Sequence, residues 1–570
     1  MVRNRYNNCF DLNHSRTSYF FNFIISIGVP MSFRRAGRLA AMVFSTLLWM
    51  ACGQVYRPVV IPTTTTPPNP ASFHAVYAVN TNGSYDPTSA TFAFDVGSAL
   101  QFDVAGDTVI GATGGTGSSG GHIGINPTHA AILPNNSRIF VASAGSFEVG
   151  GADVISAFTP AVDTTIATGL GTVTTFTLPN LGPINPATGQ PFFCSYLPDF
   201  VTSAQSTVVF VTNYGVEADP NCNLSTTDSV AVLTPALNTI SKIVYLTAGS
   251  HPVAMAATPD GSKLYVANQG ANSVISFNTV DMSQNVLTGF SGTTPVWAVA
   301  RGDSQKVYVL TQGDGKLITI DTATDTAMPN PLSVGAGANF LLYDPHLQRL
   351  YVTNPVTGTL YIFATSFVDS SGVLNDTPQQ LAAIPIPGAT GCTGCTGPMP
   401  VSVTALPDGS RAYVASYQLL TCSDPVFSTA CQVIPQVTVI DAVSNTIKTT
   451  LSPLPQVSTT PPSVSESIDC IPNALYSPAG VPIPGTTNAL RFSARFRLST
   501  ASAADSSRVY IGMCDAGSIA IINTTTSSIT TGNNTPDTLV TDWAAPFGAG
   551  LPQANGEPPL QTPIFLLTGQ

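Results

Sequence analysis

The sequence predicts an all-β chain forming a single β-propeller of about eight four-stranded blades. Three observations carry that expectation. Charged residues are only 9% of the 570 and apolar ones 44%, enough material for a large core without a strongly charged surface. The 47 Gly and 46 Pro are spread along the chain, as many short strands joined by turns require, and no long stretch shows a 3.6-residue apolar period. Third, one apolar pentapeptide returns eight times in phase.

In chain order the copies are VYAVN (Val76–Asn80), IFVAS (Ile139–Ser143), VFVTN (Val209–Asn213), LYVAN (Leu264–Asn268), VYVLT (Val307–Thr311), LYVTN (Leu350–Asn354), AYVAS (Ala412–Ser416) and VYIGM (Val509–Met513). Before each there is often a proline, an apolar strand and a tight turn, as in HPVAMAATPDGSK and PVSVTALPDGSR. After it comes a second strand, such as SVISF, KLITID or SIAIIN. Leu264, Val307 and Leu350 are spaced 43 residues apart, the period of a four-stranded propeller blade. Inner strands sandwiched between neighbouring blades should be apolar on both sides, and VYVAN-type segments are. The turns Pro259–Gly261 and Pro407–Gly409 supply Pro at a fixed φ and Gly where φ is positive.

These repeats resemble the YVTN family of β-propellers, named for the tetrapeptide that stands here as Tyr351-Val352-Thr353-Asn354. The resemblance covers Phe73 to the C-terminus. It implies a radial propeller, often seven-bladed, of a kind frequent in secreted or surface proteins and related in sequence to lactonase-type propellers.

Blade number follows from the ends of the repeat array. The first copy has no inner strand before it. The C-terminal Thr562-Pro563-Ile564-Phe565-Leu566-Leu567 aligns with Thr294-Pro295-Val296-Trp297-Ala298-Val299, an inner strand elsewhere. The C-terminus is therefore expected to complete blade 1 and close the ring, giving eight blades, with seven as the alternative. Closure removes a sheet edge that would otherwise template aggregation.

Residues 1–51 are expected to be a signal region, with Met31 the candidate true start. From Met31 a basic stretch (Arg34, Arg35, Arg38) leads into an apolar run and then Ala51-Cys52-Gly53. LLWMAC resembles a bacterial lipobox, which makes Cys52 the candidate lipidated residue, although Trp49 stands where that motif usually has Leu. Plain signal cleavage and an uncleaved anchor are the alternatives. Residues 52–72 are Pro- and Thr-rich and fit an extended tether; residues 73–570 form the propeller. Six of the 20 basic residues and one of the 31 acidic ones precede Cys52, leaving 14 basic against 30 acidic and a net charge of −16 for the remainder. So acidic a body would repel phosphates, and nucleic acid is not expected as a partner.

Insertions break the repeat at Tyr214–Thr227, at Tyr417–Pro435, in the link containing Gly391–Pro398, and from about Ser452 to Leu490. All lie in second-to-third-strand turns or inter-blade links, which share one face. Setting aside Cys9 and Cys52, all eight remaining cysteines lie there too: Cys194, Cys222, Cys392, Cys395, Cys422, Cys431, Cys470 and Cys514. An even number in a secreted chain implies disulfides. The preferred pairs are Cys194–Cys222, Cys422–Cys431, Cys470–Cys514 and Cys392–Cys395. Cys392–Cys395 lacks the His of a haem site and the further ligands of a zinc site, so neither cofactor nor metal is expected.

Signals for chemistry are few. No H-E-x-x-H and no G-x-S-x-G occurs. His251 and His129 open inner strands and are expected to be solvated link residues. Arg301-Gly302-Asp303 occupies an ordinary turn. The acids Glu217, Asp219, Asp424, Glu466 and Asp469 are loop-face binding candidates, with scattered surface acids the blander alternative. The expected function is an extracytoplasmic, lipid-anchored module that binds or scaffolds through a disulfide-braced loop face. Its partner would be a protein, a glycan or a small molecule, and it would meet the membrane through its anchor only. The alternative is a lactonase-like hydrolase with a site at the central channel mouth, which requires acids, Arg or His converging from several inner strands.

Overall fold

A computed structural model describes residues 75–86, 91–104, 107–113, 123–125, 127–143, 154–160, 170, 172–178, 196–215, 228–368, 371–389, 392–420, 432–452, 454, 464–465, 470, 481–482, 489–490, 496–525, 537–544 and 562–569. The signal region, Cys52 and the tether lie outside them. Among the described residues no helix is long and apolar enough to cross a membrane.

Eight sheets each contain a path of four antiparallel strands. Their inner strands follow one another around an axis. Pro127–Ile132 packs beside Tyr196–Gln205, then come Pro252–Ala257, Pro295–Ala300, Phe340–Asp344, Met399–Ala405, Leu498–Ser502 and Thr562–Thr568, and the last returns to Pro127–Ile132. The chain is an eight-bladed β-propeller. Blade 1 is completed from both ends of the chain, because Thr562–Thr568 pairs antiparallel with Ala75–Asp86 in the register Val76↔Thr568 and Val79↔Phe565. The seven-bladed alternative is thereby excluded.

The repeated pentapeptide is the second strand of every blade. Its residues are buried throughout in Ile139–Ser143, Lys306–Thr311 and Arg508–Met513. Its second position is aromatic in all eight copies. Tyr265, Tyr308, Tyr351, Tyr413, Tyr510, Phe140 and Phe210 are among the largest fully buried side chains. They are the wedges that fill the space between blades. The terminal Asn ties the second strand to the third: the side-chain amides of Asn80, Asn213 and Asn268 donate to Ser98 Oγ, Ser229 Oγ and Ser273 Oγ at 3.2, 3.2 and 3.3 Å. The Pro-Asp-Gly turns behave as expected, with Gly261 and Gly409 both at φ 70°.

Between blades the structure holds a device that the repeat pattern did not suggest. A basic residue just before or at the start of the second strand reaches the third-to-fourth-strand turn of the next blade. Lys263 Nζ meets Asp325 Oδ2 at 2.7 Å, Arg508 Nε meets Asp107 Oδ1 at 2.9 Å, and Arg349 donates to Asn445 Oδ1 at 2.7 Å. Arg138 pairs likewise with Asn238, and Arg411 with Asp537. All five acceptors adopt positive φ, between 51° and 60°, a conformation that Asn and Asp tolerate better than other side chains. The wedge tyrosines join in, since Tyr265 and Tyr413 donate to Asp325 and Asp537 at 2.5 Å. Blade 5 uses a variant: Arg301, 5% exposed, pairs with Asp303 of its own turn and with Asp376 of blade 6. Arg301-Gly302-Asp303 is thus a closed structural turn.

Asp537 is the most enclosed of these acceptors, its side chain 2% exposed between Arg411, Lys448 and Tyr413. Removing one partner of a buried ion pair typically costs about 3–5 kcal/mol. Asp537→Ala is therefore expected to lower the urea unfolding midpoint by more than Asp325→Ala, whose partner Lys263 is 25% exposed. Equal midpoints for the two variants would refute this ranking.

Candidate functional site: the axial cavity

Eight inner strands leave a wide axis, and what fills it depends on one local feature. In six blades the inner strand has a proline at or near its start, and the ladder shifts register two residues later: Pro127/His129, Pro198/Phe200, Pro252/Ala254, Pro295/Trp297, Pro400/Ser402 and Pro563/Phe565. Proline has no N–H to give the ladder, and a bulge re-aims the residue that follows. Blades 6 and 8 lack the proline but place Phe340 and Ser499 at the same register, opposite Thr353 and Gly512. One register layer therefore presents His129, Phe200, Trp297, Phe340 and Phe565 together with the small Ala254, Ser402 and Ser499.

The rings of this layer pack on each other. His129 stacks on Phe200 with centroids 3.8 Å apart and lies 4.3 Å from Phe565. Trp297 sits edge-on to Phe200 at 5.5 Å and 5.0 Å from Phe340. Phe496, which precedes the inner strand of blade 8, contacts both Trp297 and Phe340, at 5.7 and 5.4 Å. Val201 N donates to His129 Nδ1 at 3.5 Å.

Above this floor lies a cavity of about 380 Å³. Its wall continues along the inner strands through Thr202, Ala257, Ala300 and Leu342 to Pro259, in a first-to-second-strand turn. It therefore sits on the short-turn side of the aromatic layer, the side away from the cysteine-bearing links. His129 is the one titratable side chain among the described lining residues.

Sequence reasoning missed this site. His129 is 6% exposed within the ring cluster and His251 is also 6% exposed, its backbone N–H donating to Asp228 Oδ2 at 3.3 Å, so neither is a solvated link residue. The available signal was the residue two places after each inner-strand proline, which is aromatic, His or small. On the link side of the axis the described residues hold an ion pair. Arg497 and Asp515, 3.5 Å apart, have side chains 2% and 3% exposed, and the guanidinium lies 5.1 Å from the Tyr417 ring. Burial pushes the Tyr417 hydroxyl up from its usual range.

Of the sequence-derived candidates, Glu217, Asp219, Asp424, Glu466, Asp469, Cys194, Cys222, Cys422 and Cys431 lie outside the described residues. Two cysteine pairs are seen. Cys470 and Cys514 are bonded with Cα atoms 5.6 Å apart, both fully buried, tying the long link before blade 8 to that blade. Cys392 and Cys395 are bonded with Cα atoms 5.7 Å apart. Among the described residues no three His, Cys, Asp or Glu gather as a metal site.

No family model matches the chain, and no curated protein does. Solved structures show a distant similarity to the chain. The periplasmic gluconolactonase of Pseudomonas aeruginosa is 16% identical over 66% of this chain and 95% of its own, with TM-score 0.42. A protein from Lactobacillus plantarum is 16% identical over 67% and 96%, at 0.39. The hydrazine synthase of Kuenenia stuttgartiensis is 17% identical over 57% and 76%, at 0.35.

Proposed function

We propose that this protein is an extracytoplasmic binding propeller of the YVTN type, lipid-anchored at Cys52, that takes a small uncharged ligand into its axial cavity. The cavity carries this reading. Its volume suits a small molecule, and its wall is built mainly from rings and aliphatic side chains with a few polar groups, the usual make-up of a small-molecule pocket. The disulfide between Cys470 and Cys514 supports an oxidising compartment. The cysteine-bearing link face remains the candidate surface for a larger partner.

Toluene titrated into the full-length protein should quench Trp297 fluorescence saturably. Trp297→Phe should remove that signal, and Ala254→Phe, which adds a ring to the layer, should weaken binding at least tenfold. A linear, unsaturable response in the native protein would overturn the cavity reading. Metabolic palmitate labelling that persists in Cys52→Ala would overturn the anchor.

A further inference from the structure

In an antiparallel four-stranded blade the first-to-second and third-to-fourth turns fall on the same face of the ring. That short-turn face carries large apolar side chains at the tips of its third-to-fourth turns. Leu237 of blade 3 is 70% exposed, Val280 of blade 4 is 91% exposed and Val443 of blade 7 is 73% exposed. Blade 5 has the exposed Ala323 where Val280 and Val443 stand. Blade 6 extends the same turn into a hairpin, Phe367–Val368 against Leu374–Asn375, on which Val368, Val373 and Leu374 are exposed. Its base is held by Asp376, which pairs with Arg301 and Lys306 of blade 5. The tips form an arc over five consecutive blades. The chain also enters the propeller on this face. Ala75 opens the second strand of blade 1, and second strands begin at the short turns. Gly569, just past the closing strand, donates its N–H to the Ala75 carbonyl at 3.2 Å. Cys52 precedes Ala75 by 23 residues.

We infer that the propeller rests on a lipid bilayer through its short-turn face, with the turn tips of blades 3 to 7 dipping between the headgroups. This goes beyond the anchor as the sole membrane contact, and it rests on the anchor reading only for the nearness of a membrane. Single exposed apolar residues are common on any protein. These recur at one structural position in neighbouring blades, on the face where the chain arrives from Cys52. Their spacing favours lipid over protein. A stable protein interface needs about 800 Å² of continuous packed surface on each side. Here each tip has one to three apolar side chains and is set off from the next by turn carboxylates. Asp281 accepts from Ser283 N at 2.9 Å and Asp441 from Ser444 N at 2.8 Å, each within its own turn. A bilayer accepts separate tips, since binding grows with the apolar area that each buries. Because carboxylates stand beside the tips and the body is net acidic, the surface that fits is zwitterionic. The same orientation brings the axial cavity, whose wall reaches the exposed Pro259, toward the lipid.

The test places a tryptophan reporter at each tip of the full-length protein: Val280→Trp, Val443→Trp and, on the opposite face, Val356→Trp, which lies in a second-to-third turn and is 76% exposed in the native chain. Each is mixed with phosphatidylcholine vesicles whose acyl chains are brominated near the headgroup. Bromine quenches tryptophan only in near contact, so quenching beyond that of the native protein reports the reporter's own position. Positions 280 and 443 should be quenched and position 356 should not. Adding Val280→Ser/Leu374→Ser to the Val443→Trp reporter should raise the lipid concentration for half-maximal quenching at least fivefold, in proportion to the apolar area removed. Both are surface changes, and an unchanged urea midpoint reports that the fold is kept. Quenching at 356 as strong as at 280, no added quenching at 280 and 443, or a half-point unmoved by the serines would each overturn the inference. A doubled mass on size exclusion without lipid, returned to monomer by Val280→Ser/Leu374→Ser/Val443→Ser, would assign the face to a second copy and overturn it as well. The anchor is decided separately by palmitate labelling, because the quenching at 280 and 443 should persist in Cys52→Ala.

Discussion

Deleting Thr562–Gln570 is expected to abolish cooperative folding. These residues supply the inner strand of blade 1, hydrogen-bonded to Ala75–Asp86, and they close the contact between blades 8 and 2. Ile564, Leu566 and Leu567 are buried, and Phe565 belongs to the axial ring layer. Burying four such side chains contributes roughly 6–12 kcal/mol at about 1.5–3 each, comparable with the whole stability of a typical domain at about 5–15 kcal/mol. The deletion would also expose an unpaired strand of Val76, Tyr77, Ala78 and Val79, an apolar edge open to edge-to-edge pairing. The truncated chain should elute as aggregate on size exclusion and show no sigmoidal urea transition. Monomeric elution with an unchanged midpoint would show that the ring does not depend on its closing strand.

Stability should also collapse steeply above pH 10. Burial pushes the hydroxyls of Tyr77, Tyr265, Tyr308, Tyr351, Tyr413 and Tyr510 well above their ordinary pKa of 10, and the Asp325, Asp537 and Asp107 carboxylates push those of Tyr265, Tyr413 and Tyr510 further. The folded state therefore holds these protons at pH values where the unfolded chain sheds them. Below pH 10 both states are protonated and stability is unaffected. Above it the unfolded state is favoured by about 1.4 kcal/mol per pH unit for each tyrosine, or about 8 kcal/mol per unit for six. Urea midpoints measured from pH 8 to 11 should be flat at first and then fall sharply. Tyr510→Phe, whose hydroxyl makes no hydrogen bond within the protein, should lessen the slope by one tyrosine's share. A midpoint that stays level to pH 11 would mean that the wedge tyrosines are not enclosed as described.

How much of this was legible in the sequence varies with the kind of feature. The second strands were legible because each is a contiguous apolar run with a period and a recurring aromatic. The closing strand was legible because Thr562–Leu567 repeats the inner-strand pattern far from where its blade begins. The latches left a trace that composition alone does not flag: an Asp or Asn followed by Thr in five third-to-fourth turns (Asp107-Thr108, Asn238-Thr239, Asp325-Thr326, Asn445-Thr446, Asp537-Thr538). Each trace lies between about 60 and more than 400 residues from its basic partner, so the pairing is a fact of blade order and not of local spacing. His129 and His251 were misjudged for a related reason. A residue opening a strand next to a link looks exposed when one blade is considered alone, and is covered once neighbouring blades close around the axis.

The amino-acid sequence by itself determined that this chain is a closed ring of repeated blades, because alternation, turn chemistry and the 43-residue period are local properties that each segment carries independently. Only the tertiary structure decided what stands at the centre. The axial layer takes one residue from each of eight distant strands, and a register shift after the inner-strand proline sets which residue that is. Whether those residues form a plug, a catalytic cluster or a ring-lined cavity depends on which side chains meet across the axis, and no segment carries that information alone.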